Sequence, residues 1–257
     1  MKTNELNLNK AKYNSDLEYL KKYLKENNLD ETNLIKYQKE LLNNRPIQYI
    51  VGNVNFYGNI IEVNEDVLIP RYETEFLVEK TISLAKKYFP QKIDILDLGT
   101  GSGCIAITLK KHLKSNIDAL DISNKALSIA RKNAQNNNVK IKFLNKDIAT
   151  YQEKQYDLII SNPPYISEEE EIMDLVKNNE PHIALYAKDN GLYFYKKIID
   201  NLPLITKEKY LLALEIGYNQ AIPITEYAKN KLKDINITVE KDLSNKDRYI
   251  FITNIKK

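Results

Sequence analysis

Apolar positions recur at two different periods along this chain, and the change of period divides it. Residues 1–45 show no β-type alternation. Leu17, Leu20 and Leu24, then Leu34, Ile35, Leu41 and Leu42, recur at helical spacing. That predicts two or three amphipathic helices with a break near Asn27–Asp30. So short a piece buries little apolar surface by itself, and it reads as a small helical docking domain. From Pro46 to Val63 the pattern changes. Ile50, Val54, Phe56, Ile60 and Val63 alternate with polar residues, and Gly52-Asn53 and Gly58-Asn59 are turn dipeptides. This predicts a β-hairpin linker over residues 46–70.

Beyond Pro70 short apolar runs alternate with helical stretches. The expected strands are Ile93–Leu98, Ile117–Ile122, Val139–Leu144, Tyr156–Ser161 and Tyr210–Ile216. The expected helices are Thr74–Tyr88, Cys104–Leu113, Asn124–Asn137, Leu192–Leu202 and Gln220–Leu232. Such alternation makes a parallel sheet covered by helices on both faces. Ile235–Glu240 and Arg248–Ile255 are strand-like and joined by the turn-like Asp242–Asp247, so they should pair as an antiparallel hairpin. The expected fold class is therefore α/β, over a domain at 71–257. Its sheet would be seven-stranded, mostly parallel and doubly wound, with an antiparallel C-terminal hairpin.

Composition narrows the chemistry. The 257 residues carry 38 Lys+Arg against 35 Asp+Glu, a net charge of +3. Binding nucleic acid through overall charge is thereby excluded. A hydrophobic content of 43% is enough for a real core. One cysteine, Cys104, rules out an internal disulfide and a Cys-rich zinc site. With only His112 and His182, a histidine metal centre is disfavoured and no metal is expected. The polar stretch Met1–Asn14 lacks the apolar core of a secretory signal, and no apolar run reaches the roughly 18 residues of a membrane span. The expected setting is cytoplasmic, without membrane association.

Ile95-Leu96-Asp97-Leu98 runs into Gly99-Thr100-Gly101-Ser102-Gly103 and then a helix. Glycines let the backbone turn sharply and let a ligand approach where a Cβ would stand. The loop closes the first parallel strand, at the sheet edge where α/β folds bind ligands. Its spacing is G-x-G-x-G, with Cys104 next, rather than the G-x-G-x-x-G of a dinucleotide site. No Walker lysine follows. Asp121 ends the next strand, about 20 residues on, where an acid accepts hydrogen bonds from ribose hydroxyls. Asp147, after the third strand, is positioned to meet an adenine amino group, with Ile148 beside the ring. The pattern suits a nucleoside without phosphates. A glycine turn and a strand-end carboxylate with no ligand is the plain alternative.

The fourth strand ends in Ser161 and runs into Asn162-Pro163-Pro164-Tyr165. Two prolines fix their own φ and keep the residues before them out of helix, giving a rigid corner. The Asn162 side-chain oxygen and the Pro163 carbonyl can each accept one hydrogen of a planar NH₂ group, and Tyr165 can stack on its plane. An amide nitrogen is a poor nucleophile because its lone pair is delocalised. Directional acceptors orient that lone pair and stabilise the nitrogen as positive charge builds. A proline-stiffened turn with no chemistry is the alternative for this motif alone.

Together the two motifs resemble the class I S-adenosylmethionine-dependent methyltransferases that modify planar amino groups. Asn162-Pro163-Pro164-Tyr165 matches the signature shared by DNA adenine-N6 and protein glutamine-N5 methyltransferases. Phe56-Tyr57-Gly58 and Leu68-Ile69-Pro70-Arg71-Tyr72-Glu73-Thr74-Glu75 narrow the resemblance to the peptide chain release factor glutamine methyltransferases. So do Glu180-Pro181, Ala184-Leu185, Asn190-Gly191-Leu192, Leu214-Glu215-Ile216-Gly217 and the Asp242…Asp247-Arg248 hairpin. Tyr72 stands where that family usually has Pro.

The resemblance implies S-adenosyl-L-methionine as cofactor, leaving as S-adenosyl-L-homocysteine. The implied substrate is the glutamine of the Gly-Gly-Gln loop of class 1 peptide chain release factors, methylated at N5. It also implies a site. Asn162, Pro163 and Tyr165 are the implied catalytic residues. With Pro164, Phe56, Arg71 and Glu73 they would form the substrate pocket. Asp97, Gly99, Thr100, Gly101, Ser102, Gly103, Asp121, Ile122, Asp147, Ile148 and Asn162 would hold the cofactor. A monomer with no required nucleic acid is expected. A glutamine of a ribosomal protein, or a DNA or RNA base amino group, are the alternative substrates. Cys104 and His112 are expected to be structural, His182 to lie on the surface, and Glu168–Glu171 to be a solvated acidic run.

Overall fold

The computed structural model describes residues 2–27 and 32–256. The chain divides into two compact units, Met1–Asn53 with Ile172–Asn179, and Val54–Glu171 with Glu180–Lys257.

The first unit holds helices α1 (Lys2–Glu26), α2 (Thr32–Leu42) and α3 (Ile47–Val51). Most of the expected break at Asn27–Asp30 lies outside the described residues. Leu20, Leu41, Ile50 and Val51 form the unit's core, with Tyr13, Tyr23, Leu34, Tyr37 and Ile47 packed on it. Ile35 and Leu42 point to solvent instead, at 62% and 68% exposed. Residues 47–51 were expected to begin the hairpin, yet they are helical. Pro46 starts the turn with its fixed φ of −56°, and Gly52 ends it in the left-handed region at φ 77°, its N–H bonded to the Gln48 carbonyl. Ile50, read as an alternating strand position, is buried together with Tyr49 and Val51 by that turn.

The hairpin is confined to β1 (Asn53–Phe56) and β2 (Asn59–Glu62). Its turn residues, Tyr57 and Gly58, both have positive φ, the twist that suits a two-residue hairpin. The second unit then alternates α4 (Tyr72–Tyr88), β3 (Ile93–Leu98), α5 (Cys104–His112), β4 (Ser115–Asp121), α6 (Asn124–Asn136), β5 (Lys142–Asn145) and β6 (Tyr156–Ser161). A single turn of helix, α7 (Asp174–Lys177), belongs to the first unit; the second unit continues with α8 (Tyr193–Ile205), β7 (Thr206–Glu215), α9 (Ala221–Lys231), β8 (Asn236–Lys241) and β9 (Asp247–Thr253). Tyr72 starts α4 despite the missing family proline. It sits 61% exposed, edge-on to Phe76 one turn later at 5.4 Å.

The sheet order is β5-β4-β3-β6-β7-β9-β8. The first five strands run parallel, and β9 is antiparallel to both β7 and β8. β3 and β6 lie at its centre and carry runs of Ile and Leu buried from both sides, as parallel strands under helices must be. Leu96, Leu98, Ile159, Leu212 and Ile250 belong to one core with Ile198, Leu202 and Ile224 from the helices. No helix among the described residues is long and apolar enough to cross a membrane.

Two strands start three or more residues from expectation, for visible reasons. β5 starts at Lys142 rather than Val139, because the Val139 N–H still bonds the Ala134 carbonyl and Asn138 has a φ of 56°. β7 starts four residues early, at Thr206. Its polar opening is held by Lys207, whose ammonium reaches Asp94 at 2.6 Å and Asp157 at 2.8 Å.

Candidate active site

The order of the strands determines where a ligand can sit. From β3 the chain moves outward through β4 to β5, then crosses back to β6 on the other side of β3. The loops leaving β3 and β6 therefore part at the carboxyl edge and open a crevice between them. Leu98 pairs with Ser161 in register. Gly99 and Asn162, the next residues, thus leave neighbouring strands at the same level.

The glycine loop is tied down from below. Gly99 and Thr100 both donate backbone N–H bonds to the Leu120 carbonyl at 2.9 Å. The Thr100 hydroxyl donates to Asp97 Oδ2 at 2.6 Å. Asp97 is fully buried, and its Oδ1 has no hydrogen-bond partner among the described residues. Burial pushes its carboxyl up to about 7, against the pull of the Thr100 hydrogen bond. At Gly101, φ +52°, an added Cβ would meet no protein atom within 4 Å, so the space above it is open.

Asp121 faces that space. Its Oδ2 accepts the Gly101 N–H and its Oδ1 the Ser123 N–H, each at 2.9 Å. A carboxylate offers about four acceptor positions, so each oxygen retains capacity for another donor. Burial raises its pKa, and the Ser123 and Gly101 N–H groups oppose the rise. Ile122 is 54% exposed although apolar. Asp147 uses Oδ1 to cap its own turn at Ala149 N, 2.8 Å.

On the other loop, Asn162 Nδ2 donates to Thr74 Oγ1 at 3.1 Å, and the Thr74 hydroxyl donates to Glu215 Oε2 at 2.7 Å. The Tyr165 carbonyl accepts from Gln220 Nε2 at 2.9 Å, while Gln220 Oε1 accepts the Gly217 N–H at 2.9 Å. The corner is thus fastened to α4, to the end of β7 and to the start of α9. Burial and the nearby Glu215 push the Tyr165 hydroxyl up to about 12, so it stays protonated.

A cavity of about 210 Å³ opens between the two loops. It brings together Gly99, Gly101, Asp121, Ile122, Asp147, Ile148, Asn162 and Pro164 of the residues singled out above. The others do not line it. Asp97, Thr100, Ser102 and Gly103 are buried, and Gly103 packs against Ala130. Pro163 is buried, Tyr165 half-buried, and Phe56 only 1% exposed. Arg71 is engaged with the buried Glu180 at 2.5 Å, and Glu180 also accepts the Ile69 N–H. The Glu73 side chain is exposed, and its carbonyl accepts from the Tyr249 hydroxyl. Sequence reasoning missed Asp66, Val67 and Leu68 before α4, Ser123 and Ala126 at the start of α6, Pro181, Ile183 and Ala184, and Tyr193 and Phe194 on α8. Of these, only Leu68, Pro181 and Ala184 fell within segments the family resemblance had marked. Cys104 is buried, and burial pushes its thiol up to about 12. His112 and His182 are exposed.

The Methyltransferase small domain family matches residues 73–181. The solved structure of a methyltransferase from Pyrococcus furiosus superposes with a TM-score of 0.59 at 16% identity, covering 85% of this chain and 98% of that one. Fold and crevice define an α/β methyltransferase. The Release factor glutamine methyltransferase of Bacillus subtilis (strain 168) is 39% identical over 213 residues, covering 80% of this chain and 74% of the relative. That of Flavobacterium psychrophilum is 41% identical over 232 residues, covering 86% and 81%. The chain belongs to the release factor glutamine methyltransferase family.

Proposed function

We propose that this protein transfers a methyl group from S-adenosylmethionine to the side-chain amide nitrogen, N5, of the glutamine in the Gly-Gly-Gln loop of class 1 peptide chain release factors. One observation carries the reading. Asn162 of the diproline corner shares a single cavity with Gly101 and Asp121 of the nucleoside-type edge.

The residues suit that cofactor. Asp121 has spare acceptor capacity for ribose hydroxyls, and the half-exposed Ile122 is an apolar wall for a flat ring. Gly101 leaves open the space a Cβ would take. The unpartnered Asp97 Oδ1 is suited to an ammonium group reaching it past the loop. When bound, S-adenosylmethionine supplies an electrophilic methyl group on a positively charged sulfur.

The chain's own contribution lies on the amide side. Asn162 Oδ1 and the Pro163 carbonyl accept the two NH₂ hydrogens, which turns the nitrogen lone pair out of conjugation and toward the methyl group. The same acceptors stabilise the nitrogen as it becomes positive, and one of its two original protons then passes to water to leave the neutral N-methyl amide. Tyr165 packs beside the amide with its hydroxyl protonated. Pro164 walls the cavity, while Arg71 and Glu73 shape the approach. Residues 1–45 serve as a docking domain, 46–70 as a linker and 71–257 as the catalytic domain. The protein works as a cytoplasmic monomer without nucleic acid.

The test is mass spectrometry of a release factor co-expressed with and without this protein. One added methyl on the Gly-Gly-Gln glutamine is expected, and Asn162→Ala should abolish it while cofactor still binds. Methyl label appearing in a ribosomal protein or in nucleic acid, with none in the release factor, overturns the reading.

A further inference from the structure

We infer that Thr74, anchored by Glu215, is a positioning residue that holds the Asn162 carboxamide with its oxygen turned to the substrate. The inference rests on the function proposed above and deepens it.

An asparagine carboxamide has two ends of nearly equal size. Turned one way it presents an acceptor, turned the other a donor. Only the acceptor end can hold an incoming NH₂ group; the donor end would set N–H against N–H. Something must therefore choose, and the choice is visible in the hydrogen bonds. Thr74 has a single hydroxyl hydrogen, and it is spent on Glu215 Oε2 at 2.7 Å. An ionised carboxylate only accepts, so above pH about 7, where Glu215 is ionised, that hydrogen is not released for another use. Thr74 Oγ1 is left as an acceptor. The Asn162 atom 3.1 Å from it must then be the nitrogen, Nδ2. Oδ1 is turned to the opposite side.

The anchor is stiff. Thr74 is 3% exposed in the first turn of α4, and Glu215 is 2% exposed at the end of β7. The Tyr195 hydroxyl donates to the Glu215 carbonyl at 2.9 Å, which fixes the backbone there. None of Thr74, Glu215 or Tyr195 lines the cavity. Their effect on the reaction passes through Asn162.

The experiment compares wild type with Thr74→Val, which keeps the shape and deletes the hydroxyl, and Thr74→Ser, which restores it. Thr74→Val should lower kcat for release factor methylation at least about tenfold. KM and the cofactor Kd should stay within about threefold, the pattern of a group acting in the transition state. Thr74→Ser should return kcat to within about threefold of wild type, since it restores the bond that orients the carboxamide. A second readout needs no turnover: in ¹⁵N-labelled wild type the Asn162 carboxamide should show one hydrogen protected from solvent exchange, and Thr74→Val should remove that protection. Undiminished kcat in a folded, cofactor-binding Thr74→Val overturns the inference. So does a Thr74→Ser as slow as Thr74→Val, or an unprotected carboxamide in wild type. If Thr74→Val does not fold, the wild-type exchange measurement decides alone. Wild type that leaves release factor unmethylated refutes the proposed function instead, and the exchange measurement still decides the carboxamide's direction.

Discussion

Gly191→Ala adds one methyl group, and the structure says where it lands. Gly191 lies in the loop before α8 with φ +81°, after Asp189 and Asn190, which also have positive φ. A Cβ there would stand 2.1 Å from the Tyr165 carbonyl oxygen, 2.9 Å from its carbon and 2.4 Å from Gln220 Nε2. Two of these atoms are backbone of the corner and cannot swing aside. The third makes the 2.9 Å hydrogen bond that fastens Tyr165. Left-handed strain costs about 1–2 kcal/mol, overpacking about 1–3 and the lost hydrogen bond about 1. The variant should be destabilised by roughly 3–6 kcal/mol, a large share of the 5–15 kcal/mol typical of a folded domain. At roughly 2–4 °C per kcal/mol, thermal melting should fall by roughly 6–24 °C. Turnover at a temperature where the variant is folded should fall at least about tenfold, because Tyr165 and Asn162 belong to one rigid corner. Gly58→Ala is the control. It has a similar φ of +77°, but its Cβ would meet nothing within 4 Å, so it should cost only the strain of about 1–2 kcal/mol. The reasoning fails if urea denaturation gives the two variants the same stability, or if Gly191→Ala turns over like wild type.

Asp121→Asn should weaken S-adenosylmethionine binding by calorimetry at least about tenfold, or 1.4 kcal/mol. Both carboxylate oxygens accept backbone N–H groups, so the new NH₂ must oppose one of them. Asp94 is partly buried, which raises its pKa, but the Lys207 and Asn116 hydrogen bonds and the charges of Lys154 and Lys207 outweigh this and hold it at about 2. A carboxyl depressed in the folded state stabilises the protein above its ordinary value of 3.8 and loses that contribution as pH falls toward 2. Acid titration of stability should therefore show a loss of up to about 2 kcal/mol over that window, and Asp94→Asn should remove it. Burial pushes Glu215 up to about 7, reinforced by Glu73 and opposed by the Thr74 hydrogen bond, Arg248 and Arg71. Protonated below that pH, Glu215 can donate to Thr74 and free its hydrogen, so kcat should decline from pH 8 to pH 6. A flat kcat profile over that range would contradict this.

Periodicity was enough for the catalytic unit. β3 and β6 were read to the residue, because each centres on consecutive buried Ile and Leu residues and ends at glycine or at Asn-Pro. The apolar pattern weakens where burial is achieved by other means. The polar start of β7 carries no apolar signal, since Lys207 is held by carboxylates rather than by packing. The turn of helix at Ile47–Val51 has the composition of a strand, and only packing against Leu20 and Leu41 shows which face is buried.

The same division holds for the site. Glycine spacing, Asp121 and the diproline corner are local chemistry, and adjacent residues are enough to announce them. That Gly99 and Asn162 leave the sheet side by side depends on the Leu98–Ser161 register. That Asn162 is oriented by Thr74 and Glu215 depends on contacts 88 and 141 residues apart in the chain. Local residue types specify strands, turns and reactive groups because those respond to near neighbours; which groups face one another across the crevice is decided only when distant strands are packed into one sheet.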